Sequence, residues 1–538
     1  MSDSTDIRGF LQGAASAGES GDFATAERCC RQALALDPGN NDALGLMGMV
    51  RWHGGDIDEG EKFLRQSLDS LAAQPEVLAN LGDLLACKQE HESALACYAE
   101  SVRIAPGYAD AWLKLGIARG EKGDIEGAMA ALERAHELRP RDLAALYAMA
   151  QAHLEGDNHE RAIECYRRAL AIAPQAVEIH DALNEILWEQ GMREDYLGSF
   201  VPAIEAAPGS LPLRLRYAGS LCHVGRHLDA ETVLLKARGL FGSDAGIHAG
   251  LGASLDGQGR SAAAIEAFTA AVETAPENLQ YRQDLARALI SAGDFRGALG
   301  HIDAAIALAP LDQRNLAFRG LCWRLSGDPR AATINDYERF VKRYEIPVPV
   351  GYTDIRAFNE ALVRALDGLH KNQVQHPLNQ TLRGGTQTHG NLFERKVREV
   401  QEARASIEQC ILRYIAEMGD DSEHPFLSRK SERFRFAGSW SCRLGQQGFH
   451  TNHLHMEGWI SSCYYVSLPD VVRAGDGHAG WIKFGETNLN LGDREHIGKI
   501  LQPKEGHLVL FPSYMFHGTV PFPSNEIRTT IAFDVMPV

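Results

Sequence analysis

A period of 34 residues runs through the first part of the chain and restricts what it can fold into. Prolines fall on one register of this period, at Pro38, Pro106, Pro140, Pro174, Pro208, Pro276 and Pro310. Small residues fall on a second register, at Gly48, Gly82, Gly116, Ala150, Ala218, Gly252, Ala286 and Gly320. A small residue lets a second helix approach closely, and a proline ends a helix because it cannot continue the hydrogen-bond ladder. The period therefore predicts stacked helical hairpins, each of which buries its apolar faces only against its neighbours.

The unit from Ala109 to Asp142 carries the repeat pattern most completely. Its pattern residues are Trp112, Leu115, Gly116, Gly123, Ala128, Leu132, Ala135 and Pro140. The pattern resembles the tetratricopeptide family over about ten units. The resemblance implies an all-α superhelix whose concave groove binds a protein or a peptide. The units Val177–Ser210 and Leu211–Asp244 fit less well, and we expect a kink or a specialised surface there.

Composition narrows the class of protein. A chain of 538 residues is too long for one ordinary core, so we expect more than one domain. The net charge of -17 argues against nucleic acid as a partner, since a nucleic-acid binder needs a basic footprint. No apolar run is long enough to span a bilayer, and no signal peptide is visible, so we expect a cytoplasmic protein without a membrane partner.

The residue pattern changes after the repeats. Pro347 and Pro349 interrupt the helical periodicity, and runs rich in β-branched and aromatic residues follow from Phe434 onward. Helices first and strands later indicate a second domain, which we expect to be a jelly-roll (a double-stranded β-helix) with flanking helices. The predicted domains are a repeat array at 1–346, a connector at 347–382 and the jelly-roll domain at 383–538.

Three histidines and an arginine in the last domain suggest a metal site. Side chains two residues apart on a strand point to the same face, so His453 and His455 can reach one metal ion. His517, from a later strand, completes one face of the coordination sphere and leaves positions open for co-substrates. Arg528 follows, and an arginine fork grips a carboxylate bidentately.

Two segments carry a family resemblance. The run from His453 to Val466 resembles the strand of the 2-oxoglutarate/iron(II) oxygenases that begins with His-x-His and continues to Ser…Tyr-Tyr. The run from Pro503 to Phe522 resembles the distal-histidine segment of the same family. The resemblance implies Fe(II), 2-oxoglutarate and dioxygen, with ascorbate as an optional reductant and no catalytic side chain separate from the metal site. It implies His453, His455 and His517 as iron ligands, and Arg528, Thr530 and Tyr465 as 2-oxoglutarate contacts.

The ligand set departs from the usual pattern at one position. Most such oxygenases hold iron with two histidines and a carboxylate, whereas this chain has His455 where the carboxylate usually stands. Glu457 lies two residues further on and is the alternative ligand. The spacing to Ser461 and Tyr465 favours the pair His453 and His455, while a carboxylate would better neutralise ferrous iron. Both assignments remain open on sequence grounds.

These observations predict an iron(II)- and 2-oxoglutarate-dependent hydroxylase fused to a repeat scaffold that binds a protein or peptide partner. Two alternatives remain. One is a non-catalytic adaptor with a degenerate barrel, which the missing carboxylate supports. The other is a cupin-like dioxygenase with three histidines that does not use 2-oxoglutarate, against which Arg528 and Thr530 argue.

Overall fold

The computed structural model describes residues 2–370, 381–388 and 390–538. The chain forms two compact units. One comprises Met1–Ile186 with Val201–Pro208, and the other comprises Leu187–Phe200 with Gly209–Val538.

Helical hairpins follow the 34-residue period through both units. In the first unit the helices are α1 (Ser2–Glu19), α2 (Phe23–Leu36), α3 (Asn41–His53), α4 (Ile57–Ser70), α5 (Pro75–Cys87), α6 (His91–Ile104), α7 (Ala109–Glu121), α8 (Ile125–Leu138), α9 (Leu143–Glu155) and α10 (His159–Ile172). Helices α11 (Val177–Glu189) and α12 (Phe200–Ala206) lie where the two units divide. In the second unit they are α13 (Leu211–His223), α14 (His227–Phe241), α15 (Ala245–Gly257), α16 (Ser261–Thr274), α17 (Leu279–Ala292), α18 (Phe295–Leu308), α19 (Gln313–Leu325), α20 (Ala331–Ile334) and α21 (Tyr337–Phe340). From α3 to α19 the first helix of each hairpin begins 34 residues after the previous one.

Small residues allow the close packing that the period predicts. A Cβ added at Gly82 would lie 2.5 Å from the Tyr98 ring, and one added at Gly252 would lie 2.6 Å from the Phe268 ring. Each glycine precedes its aromatic partner by the same interval, so the same contact recurs in different hairpins. Aspartate or asparagine side chains accept hydrogen bonds at the start of many of these helices, as Asp124 does from the Gly127 amide.

One hairpin departs from the period. The register would start the second helix of the unit Val177–Ser210 near residue 193, but the helix α12 begins at Phe200. Pro202 explains the delay, because a helix starting seven residues earlier would hold this proline in its interior, where it breaks the hydrogen-bond ladder. Starting at Phe200 places Pro202 in the first turn, where no amide hydrogen is needed. The sequence predicted a weak repeat here, and the division between the two units falls in the same region.

Strands dominate the C-terminal part of the second unit. The strands are β1 (Lys342–Glu345), β2 (Leu382–Gln387), β3 (Phe434–His450), β4 (Ile460–Ser467), β5 (Ile482–Phe484), β6 (Lys499–Leu501), β7 (His507–Pro512), β8 (His517–Thr519) and β9 (Arg528–Pro537). The helices are α22 (Ile355–Asp367), α23 (Arg398–Glu417) and α24 (Asp470–Ala474), with 3-10 turns at Leu392–Glu394, Leu427–Arg429, Asp476–His478 and Gly492–Arg494. One sheet has the order β1-β7-β4-β9-β3-β2 and the other has the order β6-β5-β8. The described strand pairs are antiparallel.

A single apolar core runs through the second unit from the last hairpins into the sheets. It extends from Leu255 in α15 through Phe358 in α22 to Val535 in β9. Polar contacts join the same parts, since the Arg494 guanidinium donates to the Ser291 carbonyl at 2.9 Å and the Tyr514 hydroxyl donates to the Ile334 carbonyl at 3.0 Å. Helical repeats and sheets in this unit therefore share one interior.

The structure has the predicted fold class, with helical repeats followed by an antiparallel β region and flanking helices. Jelly-roll connectivity stays a prediction, as do the domain boundaries at 346/347 and 382/383. Residues 371–380 of the predicted connector lie outside the described residues. None of the described helices combines the length and the apolar character that crossing a membrane requires.

Candidate metal centre

Three histidine side chains converge near β8 of the small sheet and β9 of the large sheet. Each of His453, His455 and His517 offers one ring nitrogen, and these atoms all lie within 4.8 Å of one another. The backbones of His453 and His517 face each other and exchange two hydrogen bonds of 2.9 Å. The His455 amide donates to the Ser513 carbonyl at 3.1 Å, which fixes the third ring against the same loop.

The convergence has a different local cause from the one predicted. We expected His453 and His455 to lie on a strand, where alternation would turn both rings to one face. In the structure they lie in the segment between β3 and β4, outside any strand apart from the isolated bridge of His453 to His517. Backbone hydrogen bonds to β8 and to Ser513 therefore position the rings. Alternation of side chains along a single strand does not account for their positions.

Hydrogen bonds at the far side of each ring fix which nitrogen faces the centre. The Nδ1 atom of His453 lies 2.7 Å from the Thr451 carbonyl, and that of His517 lies 3.0 Å from the Met515 carbonyl. The Nδ1 atom of His455 lies 2.7 Å from a carboxylate oxygen of Asp534. Because carbonyl and carboxylate oxygens only accept, each Nδ1 carries a hydrogen, and Nε2 is the atom available to a ligand.

The centre is arranged for a cation. The Nε2 atoms of His453 and His455 lie 3.2 Å apart, which brings two lone pairs together unless a proton or a metal ion lies between them. Burial, followed by the neighbouring His455, lowers the pKa of His453 to about 3. Burial and the neighbouring histidines likewise lower the pKa of His517 well below its ordinary value. Neutral imidazoles with free Nε2 atoms are the form in which histidine binds metals.

Arg528 lies in the same region, and no ion pair joins it to any other residue that the structure describes. Its residue is 1% exposed, yet among the described residues its Nε and Nη1 atoms have no hydrogen-bond partner. The guanidinium carbon lies 5.2 Å from the centroid of the Tyr465 ring. Burial raises the pKa of the Tyr465 hydroxyl well above its ordinary value, so this neighbour is neutral and supplies no negative charge. A buried unpaired cation is costly, and an incoming carboxylate would satisfy it.

One cavity of about 390 Å³ connects these groups. The three histidines, Arg528 and Thr530 line it, together with Trp440 and Glu457. The Trp440 ring stacks on His455 with centroids 5.7 Å apart. Tyr465 lies fully buried against the guanidinium and is not among the lining residues.

Glu457, the alternative ligand, occupies a different position from the histidines. It is exposed, and the cluster of converging ligand atoms among the described residues does not include it. The residue lines the cavity but does not belong to the cluster of three rings.

Asp534 is the site residue that the sequence reasoning missed. It lies on β9 in the series Arg528, Thr530, Ala532 and Asp534, and all four line the cavity because alternate residues of a strand share a face. The arginine and threonine were recognised from the family resemblance, and continuing the same alternation would have reached the aspartate.

Family models match both parts of the chain. A model described as "Putative 2OG-Fe(II) oxygenase" matches residues 438–534, which include the three histidines, Arg528 and Asp534. Models described as "Tetratricopeptide repeat" match residues 19–84, 121–186, 224–278 and 257–319. The chain thus carries tetratricopeptide repeats, followed by a domain that matches the oxygenase model.

Curated relatives match through less than half of their own length. The peroxisomal targeting signal receptor of Candida albicans is 24% identical over 267 residues, which cover 48% of this chain and 45% of the relative. The receptor of the same name from Eremothecium gossypii is 27% identical over 225 residues, which cover 40% of this chain and 38% of the relative. A solved structure of PilF from Pseudomonas aeruginosa is 18% identical, with a TM-score of 0.35, and the match covers 40% of this chain and 97% of PilF.

Proposed function

We propose that the chain is an iron(II)- and 2-oxoglutarate-dependent oxygenase, a hydroxylase fused to a repeat scaffold. The observation that carries the proposal is the pairing of two features in one cavity. Three Nε2 atoms converge there, and a buried guanidinium with no ion-pair partner among the described residues lines the same space. The match of residues 438–534 to the oxygenase model supports the same interpretation.

The site residues divide into two groups by what they would hold. His453, His455 and His517 would hold Fe(II) through Nε2, with Nδ1 of each ring already hydrogen-bonded on its far side. Arg528 and Thr530 would hold the distal carboxylate of 2-oxoglutarate. When bound, iron and 2-oxoglutarate supply the oxidation of a C–H bond by dioxygen, with succinate and carbon dioxide as co-products. The chain itself orients the co-substrate and limits access of water to the cavity.

A substitution at Glu457 distinguishes the three-histidine ligand set from the alternative that includes Glu457. We propose the three histidines, because Glu457 is exposed and lies outside the cluster of converging atoms. Glu457→Gln should therefore bind metal as tightly as the unchanged protein. A loss as large as that caused by His517→Ala would transfer the ligand role to Glu457.

The repeats support a protein or peptide as partner or substrate. Tetratricopeptide hairpins bury their small and apolar pattern residues against each other and leave other residues of the first helices for binding. Two of the curated relatives are by name receptors for a targeting signal, which supports peptide recognition here. We also propose a cytoplasmic protein that uses neither nucleic acid nor a membrane as its partner.

Anaerobic metal titration with and without 2-oxoglutarate tests the proposal. We expect one Fe(II) or Co(II) per chain, 2-oxoglutarate binding that depends on the metal, and slow formation of succinate in air with iron and ascorbate. Absence of metal binding would favour the adaptor. Metal binding with no affinity for 2-oxoglutarate would favour the three-histidine cupin-like dioxygenase.

A further inference from the structure

A chain of buried hydrogen bonds runs outward from the metal centre through His455. Asp534 accepts from His455 Nδ1 at 2.7 Å through one oxygen and from the Ser461 hydroxyl at 2.6 Å through the other. The Ser513 hydroxyl lies 2.8 Å from that of Ser461. Both serines are fully buried, and Asp534 is 8% exposed.

Asp534 takes part in two short buried hydrogen bonds, one at each carboxyl oxygen. With the hydrogen of His455 on Nδ1 and the Ser461 hydroxyl as a donor, each oxygen of Asp534 acts as an acceptor, which is the pattern that a carboxylate makes. Because Ser461 donates to Asp534, Ser513 must in turn donate to Ser461. In this arrangement each hydrogen bond points toward Asp534.

Gly458 packs directly against this arrangement. A Cβ added at Gly458 would lie 2.2 Å from Ser513 Oγ and 3.3 Å from Asp534 Oδ1. The glycine lets the segment before β4 pass close to these two oxygens, and the Ser513 amide donates to the Trp459 carbonyl at 3.1 Å. Packing thus holds the side chain of Asp534 within hydrogen-bonding distance of His455.

Three neutral imidazoles leave the full charge of a divalent ion within the site, whereas two histidines and a carboxylate offset part of it. In this chain the carboxylate of Asp534 lies one hydrogen bond behind a ligand. We propose that Asp534 is the positioning residue that supplies the missing negative charge to the metal centre, acting through His455. The inference rests on the proposed function.

The physical route is polarisation of one ring. A carboxylate that accepts the Nδ1 hydrogen draws that proton away, raises the electron density at Nε2 and makes the imidazole a stronger donor to the metal. The same contact fixes the tautomer and the orientation of the ring. Because Asp534 stays out of the coordination sphere, the positions that co-substrates need remain open.

The test compares Asp534→Asn with the unchanged full-length protein, using Co(II) as the probe. Asparagine has nearly the same shape, and its amide oxygen can still accept from His455 while its amide nitrogen faces Ser461, whose hydroxyl can turn to accept. The change therefore removes the charge and keeps the contact with His455. We expect Co(II) affinity to fall by about 10- to 100-fold, the range typical of such outer partners of metal-bound histidine. We also expect the d–d absorption bands of Co(II) to shift.

Binding of 2-oxoglutarate at saturating Co(II) provides the discriminating readout. Removing a negative charge near a bound anion does not weaken the binding of that anion. The affinity for 2-oxoglutarate should therefore be unchanged or higher. A loss of both affinities together with a lower melting temperature would mean that Asp534 only maintains the fold. Unchanged Co(II) affinity and spectrum would overturn the proposal directly.

Serine variants keep the proposal testable if the asparagine variant does not fold. Ser461→Ala removes one donor to Asp534 and should weaken Co(II) binding by less than Asp534→Asn does. Ser462→Ala is its matched control, because that neighbouring buried hydroxyl donates to the Phe533 carbonyl and not to Asp534. Equal losses of Co(II) affinity in Ser461→Ala and Ser462→Ala would count against the proposal that Asp534 supplies charge through His455. Failure of the unchanged protein to bind metal would overturn the proposed function itself, and this inference with it.

Discussion

Replacing Arg528 with lysine isolates the geometry of the anion site from its charge. The residue is 1% exposed and has no counter-charge among the described residues, so its positive charge is available to an anionic ligand. Lysine keeps the positive charge but offers a single point of contact where arginine offers a planar fork. The variant should therefore still bind metal, while its affinity for 2-oxoglutarate falls.

The expected loss follows from one of two parallel hydrogen bonds. A hydrogen bond to a charged group contributes about 1.5–3 kcal/mol, and each 1.4 kcal/mol is about tenfold in affinity. The 2-oxoglutarate dissociation constant should rise by roughly 10- to 100-fold. At a ligand concentration about 100 times the original constant, stabilisation by binding would fall from about 2.7 kcal/mol to about 0.4 kcal/mol in the hundredfold case.

Calorimetric titration with Co(II)-loaded protein and thermal unfolding with and without 2-oxoglutarate measure both quantities. Arg443→Lys is the matched control, since it lies opposite Thr529 on the neighbouring strand and pairs with Asp367 at 3.2 Å. It should leave 2-oxoglutarate binding unchanged. If Arg528→Lys binds 2-oxoglutarate within about threefold of the original affinity, the guanidinium does not hold the co-substrate, and the assignment of Arg528 is wrong.

His517→Ala should abolish Co(II) binding and leave the circular dichroism spectrum unchanged, because it removes one imidazole of three; retained binding would exclude it as a ligand. Gly252→Ala should lower the free energy of unfolding by about 1–3 kcal/mol, because its Cβ would lie 2.6 Å from an aromatic ring of the paired helix. Gly219→Ala, with no atom within 4 Å of the added Cβ, should be neutral or stabilising by up to about 1 kcal/mol; equal effects of the two would refute the packing argument. A fragment of residues 347–538 should melt below one of residues 209–538, because it lacks β1 and the helices that share its core; equal melting temperatures would contradict this.

Local rules were enough to predict the repeats. Helix starts recur every 34 residues because proline, small residues and capping aspartates act over a few positions each. The exception at Pro202 also has a local cause, although a consensus pattern does not place the new start at Phe200. Strand β1 was not foreseen, since Lys342–Glu345 is mostly polar and becomes a strand only by pairing with His507–Leu510, far along the chain.

For the candidate site, too, the sequence predicts some features, while others depend on pairing between distant parts of the chain. The sequence pointed to the three histidines, and the structure brings them together, but their arrangement depends on the bridge between His453 and His517, which no local pattern encodes. The place of Asp534 behind His455 depends on the pairing of β4 with β9, which brings Ser461 opposite Asp534. Contacts of this kind connect residues far apart in the chain and become visible only once it is folded.

The core that helical repeats and sheets share in the second unit also affects where repeats can be added to such a chain or lost from it. A helical repeat exposes an apolar face at its open end, and most arrays need a dedicated terminal segment to cover it. Here the core from Leu255 to Val535 continues without interruption, so the sheets themselves close the array. Gain or loss of a 34-residue unit among α3 to α10 would disturb only adjacent hairpins. Gain or loss of a unit next to α19 would change the surface against which the oxygenase-like domain packs. We therefore expect the number of repeats to vary in the first unit and to be constrained in the second.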